Sequence, residues 1–349
     1  MMDLIIDKNI TVIEAMRKLD LCAKKILLVV ENNRLCGVIT DGDIRRWILK
    51  NGDLNEKVEK IMNKEPITLN LKRKNKALDL MLEHNIEAIP LVDDNGILKS
   101  IVFWNELDKD NVKKVEKIDI PVVIMAGGKG TRLHPYTKIL PKPLIPIGDT
   151  PIIERIINKF NEFGCANFYL TVNYKKNMIK SYFGEMERNY EITYIEEEKP
   201  LGTGGSLYLL KDKIKTTFFV SNCDILVDAD YVDILKKHKE DKNKITMVTS
   251  LKVFEVPYGV VQLDDNGEVQ KVVEKPKHTY LVNTGFYVLE PETINDIPQN
   301  EFFDLPSLFE FYLKKGEKVG VYPISEGSWM DMGQFDNLQD MLKRLNIQE

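Results

Sequence analysis

Apolar positions along the chain follow two successive patterns. Ahead of Asp108 one unit occurs twice, at 10–48 and again at 67–107. Each copy opens on a short apolar stretch, Ile10-Thr11-Val12 or Ile67-Thr68-Leu69, and passes into a helical segment at 14–19 or 76–81. A strand follows at 26–30 or 88–92, then a turn carrying Asn or Gly, then a second apolar strand and a helix start. The copies stay in step through Ala15 and Ala77 and slip by a single position beyond the turn, as one inserted turn residue requires.

Beyond Ile120 apolar strands alternate with amphipathic helices, which predicts an α/β domain built on a mainly parallel sheet. Residues 121–125 are apolar throughout, as a strand buried on both faces requires. Ile152, Ile153, Ile156, Ile157, Phe160 and Phe163 recur at helical spacing. Asp149 or Thr150 serves as the N-cap, Pro151 opens the first turn and Gly164 ends the helix. Strands are predicted at 168–172 and 218–221, with a helix starting near Thr203 between them. Residues 258–263 and 268–273 flank Asp264-Asp265-Asn266-Gly267, a hairpin with Asn-Gly in the turn. Residues 108–119 are highly charged and read as a linker. The predicted organisation is a repeat pair over 1–107 (halves of about 1–60 and 61–107), a linker over 108–119 and one large domain over 120–349.

Composition sets limits on function. Apolar residues are 43% and charged residues 30%, which suits a packed core and excludes a disordered chain. Net charge is −5, against a nucleic-acid partner, which usually calls for a basic excess. The longest apolar runs, such as 26–30 and 122–125, are too short to span a bilayer. The opening Met1-Met2-Asp3 lacks the basic start of a signal peptide, so a cytoplasmic protein is expected. Four cysteines without a CxxC pair and four histidines point to neither a disulfide framework nor a zinc site.

The chemistry begins directly after the first strand of the large domain, at Ala126-Gly127-Gly128-Lys129-Gly130-Thr131-Arg132-Leu133. Three glycines in close succession expose backbone N–H groups that can cradle an anion at a strand-to-helix turn. Two common phosphate-loop templates fail. Val123 stands where the Walker A loop needs its first Gly, and Leu133 where a GxGxxG fingerprint needs its third. Downstream, Arg132 offers a planar fork to phosphate oxygens, and Lys142 is held in extended backbone between Pro141 and Pro143.

The stretch from Gly127 to Pro143 resembles the GGxGxRLxPxTxxxPKP signature of the sugar-1-phosphate nucleotidyltransferases. Four later stretches are similar to that family in the same order: Leu201-Gly202-Thr203-Gly204-Gly205, Asn222-Cys223-Asp224, Val273-Glu274-Lys275-Pro276 with Asn283-Thr284-Gly285, and Trp329-Met330-Asp331-Met332-Gly333. The resemblance implies a Rossmann-like nucleotide-diphospho-sugar transferase fold. It implies that an NTP and a sugar 1-phosphate give an NDP-sugar and pyrophosphate. In that frame Gly127, Gly128, Gly130, Thr131, Leu201, Gly202 and Thr203 bind the nucleotide. Arg132, Lys142 and Asp224 carry catalysis, and Asp224 with Asp331 holds Mg²⁺. Gly259, Glu274, Lys275, Asn283 and Thr284 take the sugar phosphate. A sugar-phosphate oxygen is itself the nucleophile, so the reaction needs positioning and charge neutralisation rather than a general base.

Upstream of the base turn stands Glu196-Glu197-Glu198. Guanine presents two adjacent donors, which suit a carboxylate, whereas uracil and thymine suit an amide better. Glu197 therefore points to GTP, with UTP or dTTP as the alternative. The N-terminal pair resembles a tandem CBS (Bateman) module. Thr40 and Asp43, in Gly37-Val38-Ile39-Thr40-Asp41-Gly42-Asp43, match its ribose-binding positions, whereas the second copy has Phe103 and Glu106 there. One regulatory adenine-nucleotide site, in the first copy, is implied, and the module implies a homo-oligomer such as a dimer. The whole arrangement is similar to bacterial glucosamine-1-phosphate guanylyltransferases of nonulosonic acid pathways and to mannose-1-phosphate guanylyltransferases. A catalytically silent nucleotide-sensing scaffold is the competing expectation, and Arg132, Lys142, Asp224, Lys275 and Asp331 together favour the enzyme. The stretch from Met332 to Glu349 is too short for an added hexapeptide-repeat acyltransferase domain.

Overall fold

The computed structural model describes residues 2–22, 24–84, 86–107, 117–333 and 341–342. Each N-terminal repeat forms a three-stranded sheet flanked by helices. The first contains β1 (Ile5–Ile6), α1 (Val12–Cys22), β2 (Ile26–Glu31), β3 (Arg34–Thr40) and α2 (Asp41–Leu49). The second contains β4 (Leu69–Asn70), α3 (Ala77–His84), β5 (Ala88–Val92), β6 (Leu98–Phe103) and α4 (Trp104–Leu107). Helix α1 buries Val12, Ala15, Met16 and Leu19, whose three- and four-residue spacing puts them on one face. The two hairpins knit together: Leu35 N–H donates to Gly96 O, Leu98 N–H to Asn33 O, and the Arg34 guanidinium to Asn95 O.

Residues 108–116 of the expected linker lie outside the described residues. Ile118 is buried in the core of the larger domain and donates its N–H to Phe163 O at 2.8 Å. Its apolar side chain therefore ties 117–119 to that domain rather than to a free connector.

The larger domain opens with β7 (Val122–Met125), the short helix α5 (Tyr136–Ile139), the strand pair β8 (Pro146–Ile147) and β9 (Thr150–Pro151), and helix α6 (Ile152–Glu162). It continues through β10 (Asn167–Val172), α7 (Lys176–Gly184), β11 (Glu191–Glu196), the single turn α8 (Gly202–Gly205), β12 (Phe218–Asn222), β13 (Ile225–Val227) and α9 (Tyr231–Asp241). Then follow β14 (Ile245–Glu255), β15 (Val260–Leu263), β16 (Val269–Val273), β17 (Lys277–Leu289), α10 (Leu305–Lys314), β18 (Val319–Ile324) and β19 (Trp329–Asp331).

Among the described residues the main sheet has the order β11-β10-β7-β12-β17-β14-β18. Its pairs are parallel except that β17 runs antiparallel to both β12 and β14. The exception has a local cause. The chain leaves β14 at Glu255 and, after the hairpin β15–β16, re-enters the sheet at Lys277 directly opposite Glu255, so β17 runs back along β14. Strand β7 lies inside the sheet with Val122 and Ile124 facing one core and Val123 the other, all at 0% exposure. This is the two-sided burial its continuous apolar run requires.

Helix α6 buries Ile152, Ile153, Ile156, Ile157 and Phe160. Its N-cap is Pro151, with no side-chain cap, rather than Asp149 or Thr150. Thr150 is held instead in the β8–β9 pairing, and its hydroxyl bonds Asp149. Gly164, at φ +98°, follows the helix end. Among the described residues no helix is long and apolar enough to cross a membrane.

Phe160 is the hub of an aromatic cluster, with ring centroids 4.8 Å from Tyr231, 5.4 Å from Phe286 and 5.5 Å from Phe219. Phe160→Ala is expected to lower stability by about 3–5 kcal/mol in urea unfolding, because the cluster cannot collapse around the missing ring. A loss below about 1 kcal/mol would mean that this cluster does not hold the sheet and helices together.

Candidate active site

The glycine loop sits at the carboxyl end of β7, where open α/β sheets place their ligands. Gly130 adopts φ +63°, and a Cβ there would stand 2.9 Å from both Lys142 Cβ and Thr137 Cγ2. Glycine thus serves both the left-handed backbone and the close passage of Lys142. The buried Thr137 donates its hydroxyl to Gly130 O at 2.9 Å and braces the turn. Gly128 faces open space, and Thr131 and Arg132 are exposed on the turn that follows.

Lys142 donates to Asp224, and both side chains are nearly buried, at 12% and 11% exposure. Asp224 stands between β12 and β13. Strand β13 pairs antiparallel with β19 so that Ile225 faces Asp331, and Met332 N–H donates to Asp224 O at 2.8 Å. Two carboxylates far apart in the sequence are thereby brought together. Burial and then the charge of Asp224 push the Asp331 carboxyl above its ordinary value, while the Gly333 N–H and the charges of Lys142 and Arg132 oppose the shift. Arg132, Lys142, Asp224 and Asp331 therefore share one electrostatic environment. Among the described residues no cluster of three or more His, Cys, Asp or Glu is arranged to hold a metal. The carboxylate pair nonetheless offers hard oxygen donors that repel each other, a donor set that suits a divalent cation completing its shell with ligand oxygens.

Glu197 is the member of the glutamate run that faces the loop. Glu196 is engaged by Lys176 and Lys180, and Glu198 is exposed. Glu197 is buried, accepts the Leu201 N–H at 3.3 Å, and would lie 2.8 Å from a Cβ placed on Gly127. Burial raises its carboxyl above the ordinary value, opposed by the Leu201 bond.

The glycines of the 201–205 turn serve close packing. Gly202, Gly204 and Gly205 are packed against 301–305: a Cβ on Gly205 would stand 2.6 Å from Glu301 O, and one on Gly202 2.7 Å from Phe303 O. The N–H groups of Gly204 and Gly205 both donate to Phe303 O. Thr203 spends its hydroxyl on the start of α10, accepting from Leu305 N–H at 3.1 Å. The segment packed on these glycines comes from far along the chain, which no local pattern reveals.

At the other end, Glu274 and Lys275 are exposed beside Gly259, where a Cβ would crowd Glu274 Oε2 at 3.0 Å. Lys275 holds φ +44°, an uncommon conformation for a side-chain-bearing residue, with its N–H donating to Tyr258 O. Thr284 is buried and gives its hydroxyl to Val248 O at 2.7 Å, so it stabilises the irregularity between β14 and β17 rather than facing a ligand. Asn283 bonds the Tyr287 hydroxyl and the Gly285 N–H.

Sequence reasoning missed Asn173, Tyr174 and Lys175 at the carboxyl end of β10. Asn173 donates to Glu197 O, Tyr174 to Thr137 O, and Lys175 to both Lys138 O and Ile139 O at 2.6 Å. Tyr174 and Lys175 tie down α5, just beyond the glycine loop, and Asn173 holds the backbone of Glu197. A polar run just after a buried strand is the signal that marks them.

In the first repeat, Thr40 and Asp43 form a capping box on α2. Thr40 Oγ1 donates to Asp43 Oδ2 at 2.6 Å, Thr40 N–H to the same oxygen at 2.8 Å, and Asp43 N–H to Thr40 Oγ1 at 3.3 Å. The polar atoms matched to a ribose site are therefore engaged with each other, and Arg46 takes Asp43 Oδ1.

Glu197→Gln is expected to raise the melting temperature near pH 7. Above its raised pKa, the folded wild type carries a charge that burial disfavours and the unfolded chain does not penalise; below the ordinary value of 4.5 both states hold the neutral acid. The advantage of the amide should therefore shrink as pH falls through this window and vanish beneath it. Calorimetric melts across the range check this, and a gap that ignores pH would contradict it.

The nucleotidyl transferase family model matches residues 121–347, and the CBS domain model matches 3–50 and 58–103. The bifunctional protein GlmU of Methanococcus aeolicus is 34% identical over 228 residues, 62% of this chain and 52% of that protein. The mannose-1-phosphate guanyltransferase of Saccharomyces cerevisiae is 33% identical over 222 residues, 61% of either chain. This chain thus spans 52% to 61% of the length of these curated relatives. The crystal structure of HddC from Yersinia pseudotuberculosis is 26% identical, covering 65% of this chain and 99% of that one with a TM-score of 0.52; its complex with GMP-PN gives 0.50. With a match over most of its length and two CBS repeats ahead of it, the chain belongs to the nucleotidyl transferase family.

Proposed function

We propose that this protein transfers a guanylyl group from GTP to a sugar 1-phosphate and releases pyrophosphate. The observation that carries the reading is the convergence of Arg132, Lys142, Asp224 and Asp331 beside a braced glycine loop that has a buried carboxylate, Glu197, on its other flank. An oxygen of the sugar phosphate forms the new bond to the α-phosphorus as the bond to the pyrophosphate oxygen breaks. The loop N–H groups and Arg132 hold the β- and γ-phosphates. Lys142 neutralises charge developing at the α-phosphate, and Lys275 with Glu274 orients the acceptor. Asp224 and Asp331 would hold Mg²⁺, which supplies charge neutralisation of the phosphate oxygens when bound.

The preference for guanine rests on Glu197, the one glutamate of its run that is neither exposed nor ion-paired in the structure. Its carboxylate accepts from the paired donors of guanine. A relative solved with GMP-PN and relatives named as mannose-1-phosphate guanyltransferases support the same base. The acceptor is a hexose 1-phosphate of the mannose or glucosamine type, N-acetylated or not. An adenine nucleotide in the CBS cleft beside Thr40 and Asp43 would compete with the α2 cap and so act on the module.

Pyrophosphate release from the full chain with Mg²⁺, crossing five NTPs with glucosamine-, N-acetylglucosamine-, mannose- and glucose-1-phosphate, tests this directly. Turnover should need GTP; a preference for UTP or dTTP would overturn the role given to Glu197. Asp224→Asn and Arg132→Ala should each lower kcat by at least about 10²-fold, near 3 kcal/mol. Glu197→Gln should lower kcat/KM for GTP roughly 10- to 100-fold while leaving the sugar KM unchanged. Wild-type turnover in either of the first two variants would sink the assignment.

A further inference from the structure

The CBS pair does not merely precede the larger domain; Leu251 of β14 packs into its core, and its polar contacts grip the segment from Tyr322 to Gly327. Arg45, on α2, makes most of these polar contacts. Its side chain is 18% exposed and all three of its guanidinium nitrogens are engaged. Nε donates to Pro323 O at 3.0 Å, Nη1 to Asp233 at 2.9 Å and Nη2 to Asp41 at 2.5 Å. The guanidinium also lies 4.1 Å from the centre of the Tyr322 ring, and the Tyr322 hydroxyl donates to the same Asp233 oxygen. Tyr322 and Pro323 lie at the end of β18. A second contact from the CBS pair falls just beyond it, where Gly327 N–H donates to Asp20 at 3.4 Å.

The gripped segment leads straight to the chemistry. The turn at 325–328 is closed by Ser328 N–H to Ser325 O and by the Ser325 and Ser328 hydroxyls. Ser328 O then accepts from Asp228 N–H at 2.8 Å, which starts the β13–β19 pairing. That pair carries Asp331 at the end of one strand and follows Asp224 on the other. Its reverse side, through Leu226, Val227 and Met330, forms a wall of a cleft of about 1780 Å³ whose opposite walls are the CBS repeats. Within the larger domain the 322–328 segment is held by β14, by Asp233 of α9 through the Tyr322 hydroxyl and by Asp228; Arg45 and Asp20 of the CBS pair add contacts from the other domain.

We propose that Arg45 is a positioning residue: through Tyr322, Pro323 and the 325–328 turn, the CBS pair sets the strand pairing that brings Asp331 to Asp224. The inference rests on the catalytic reading of these two carboxylates given above. It also gives the capping box a consequence, because Thr40 and Asp43 fix the first turn of the helix that carries Arg45. A guanidinium is needed for this role. A lysine ammonium can reach one of Pro323 O and Asp233 but cannot bond both while lying flat on the ring.

Hydrogen exchange and kinetics on full-length Arg45→Met, Arg45→Lys and Tyr322→Phe test the proposal. In Arg45→Met, amides at 225–227 and 329–331 should exchange about tenfold faster than in wild type, while β10 and β11 stay unchanged. Arg45→Lys should fall between. The Mg²⁺ concentration for half-maximal turnover should rise about fivefold at unchanged KM for GTP. Loosening confined to 319–324, with 225–227 and 329–331 protected as in wild type, would reduce Arg45 to a domain anchor and overturn the proposal, as would an unaltered Mg²⁺ profile. If Arg45→Met does not fold, Tyr322→Phe, which keeps the ring and loses only the bond to Asp233, decides between the same outcomes with a smaller shift. If the wild type turns over no substrate pair, the catalytic reading fails, while the exchange pattern still decides whether Arg45 holds the strand pair.

Discussion

Two carboxylates of like charge, Asp224 and Asp331, are held together at the edge of a buried core, and much of the larger domain is explained by the need to keep them there. Left in a partly dry environment, such a pair repels strongly, because little water is present to screen it. The fold resists in two ways. Backbone pairing between β13 and β19 fixes the two strands regardless of side-chain charge. Lys142 lies against Asp224 and supplies a counter-charge from the loop side. Burial first, and then the charge of Asp224, hold the Asp331 carboxyl above its ordinary value. Two like-charged carboxylates in this condition favour positive charge placed against both.

The loop opposite the carboxylates illustrates how a sheet of mixed direction serves one site. Strand β7 is buried on both faces, so its carboxyl end emerges from the core at a fixed point. The chain then turns through Gly130 with Lys142 packed on the turn, and Tyr174 and Lys175 from the end of β10 tie down α5 just beyond it. The one reversed strand, β17, follows from the β15–β16 hairpin that places Glu274 and Lys275 at the far end. Backbone direction and site geometry thus have one origin in the order of connections.

The N-terminal pair uses its polar residues economically. Thr40 and Asp43 satisfy the first amides of α2, as an S/T-x-x-D/E box does at many helix starts. The same helix turns Arg45 toward the larger domain, where it bonds the backbone of one strand and the side chain of one helix. A capping motif and a domain contact therefore share a single short helix. A motif matched to ligand binding and a motif that stabilises a helix end are not exclusive, because each needs a hydroxyl and a carboxylate at a helix N-terminus.

Much of this is legible in the sequence, for physical reasons. The repeat is visible because each copy must bury the same apolar face. The β7 strand is visible because two-sided burial demands an unbroken apolar run. The glycine loop and Lys142 are visible because the turn, the proline flanks and the charge all lie within the one stretch 127–143. What depends on distant segments is not legible. The glycines around Thr203 read locally as a turn, and only the fold shows segment 301–305 packed directly against them. Thr284 resembles a sugar ligand, yet its hydroxyl closes an irregularity in the sheet. Glu196, Glu197 and Glu198 are chemically identical, and only burial beside Gly127 and the lysines of α7 tell them apart. Local pattern by itself determined which elements form and which side chains are available for chemistry, since backbone geometry and apolar periodicity act over a few residues. Tertiary structure alone decided which of those side chains meet and which are spent on packing, since that depends on contacts between segments far apart in the chain.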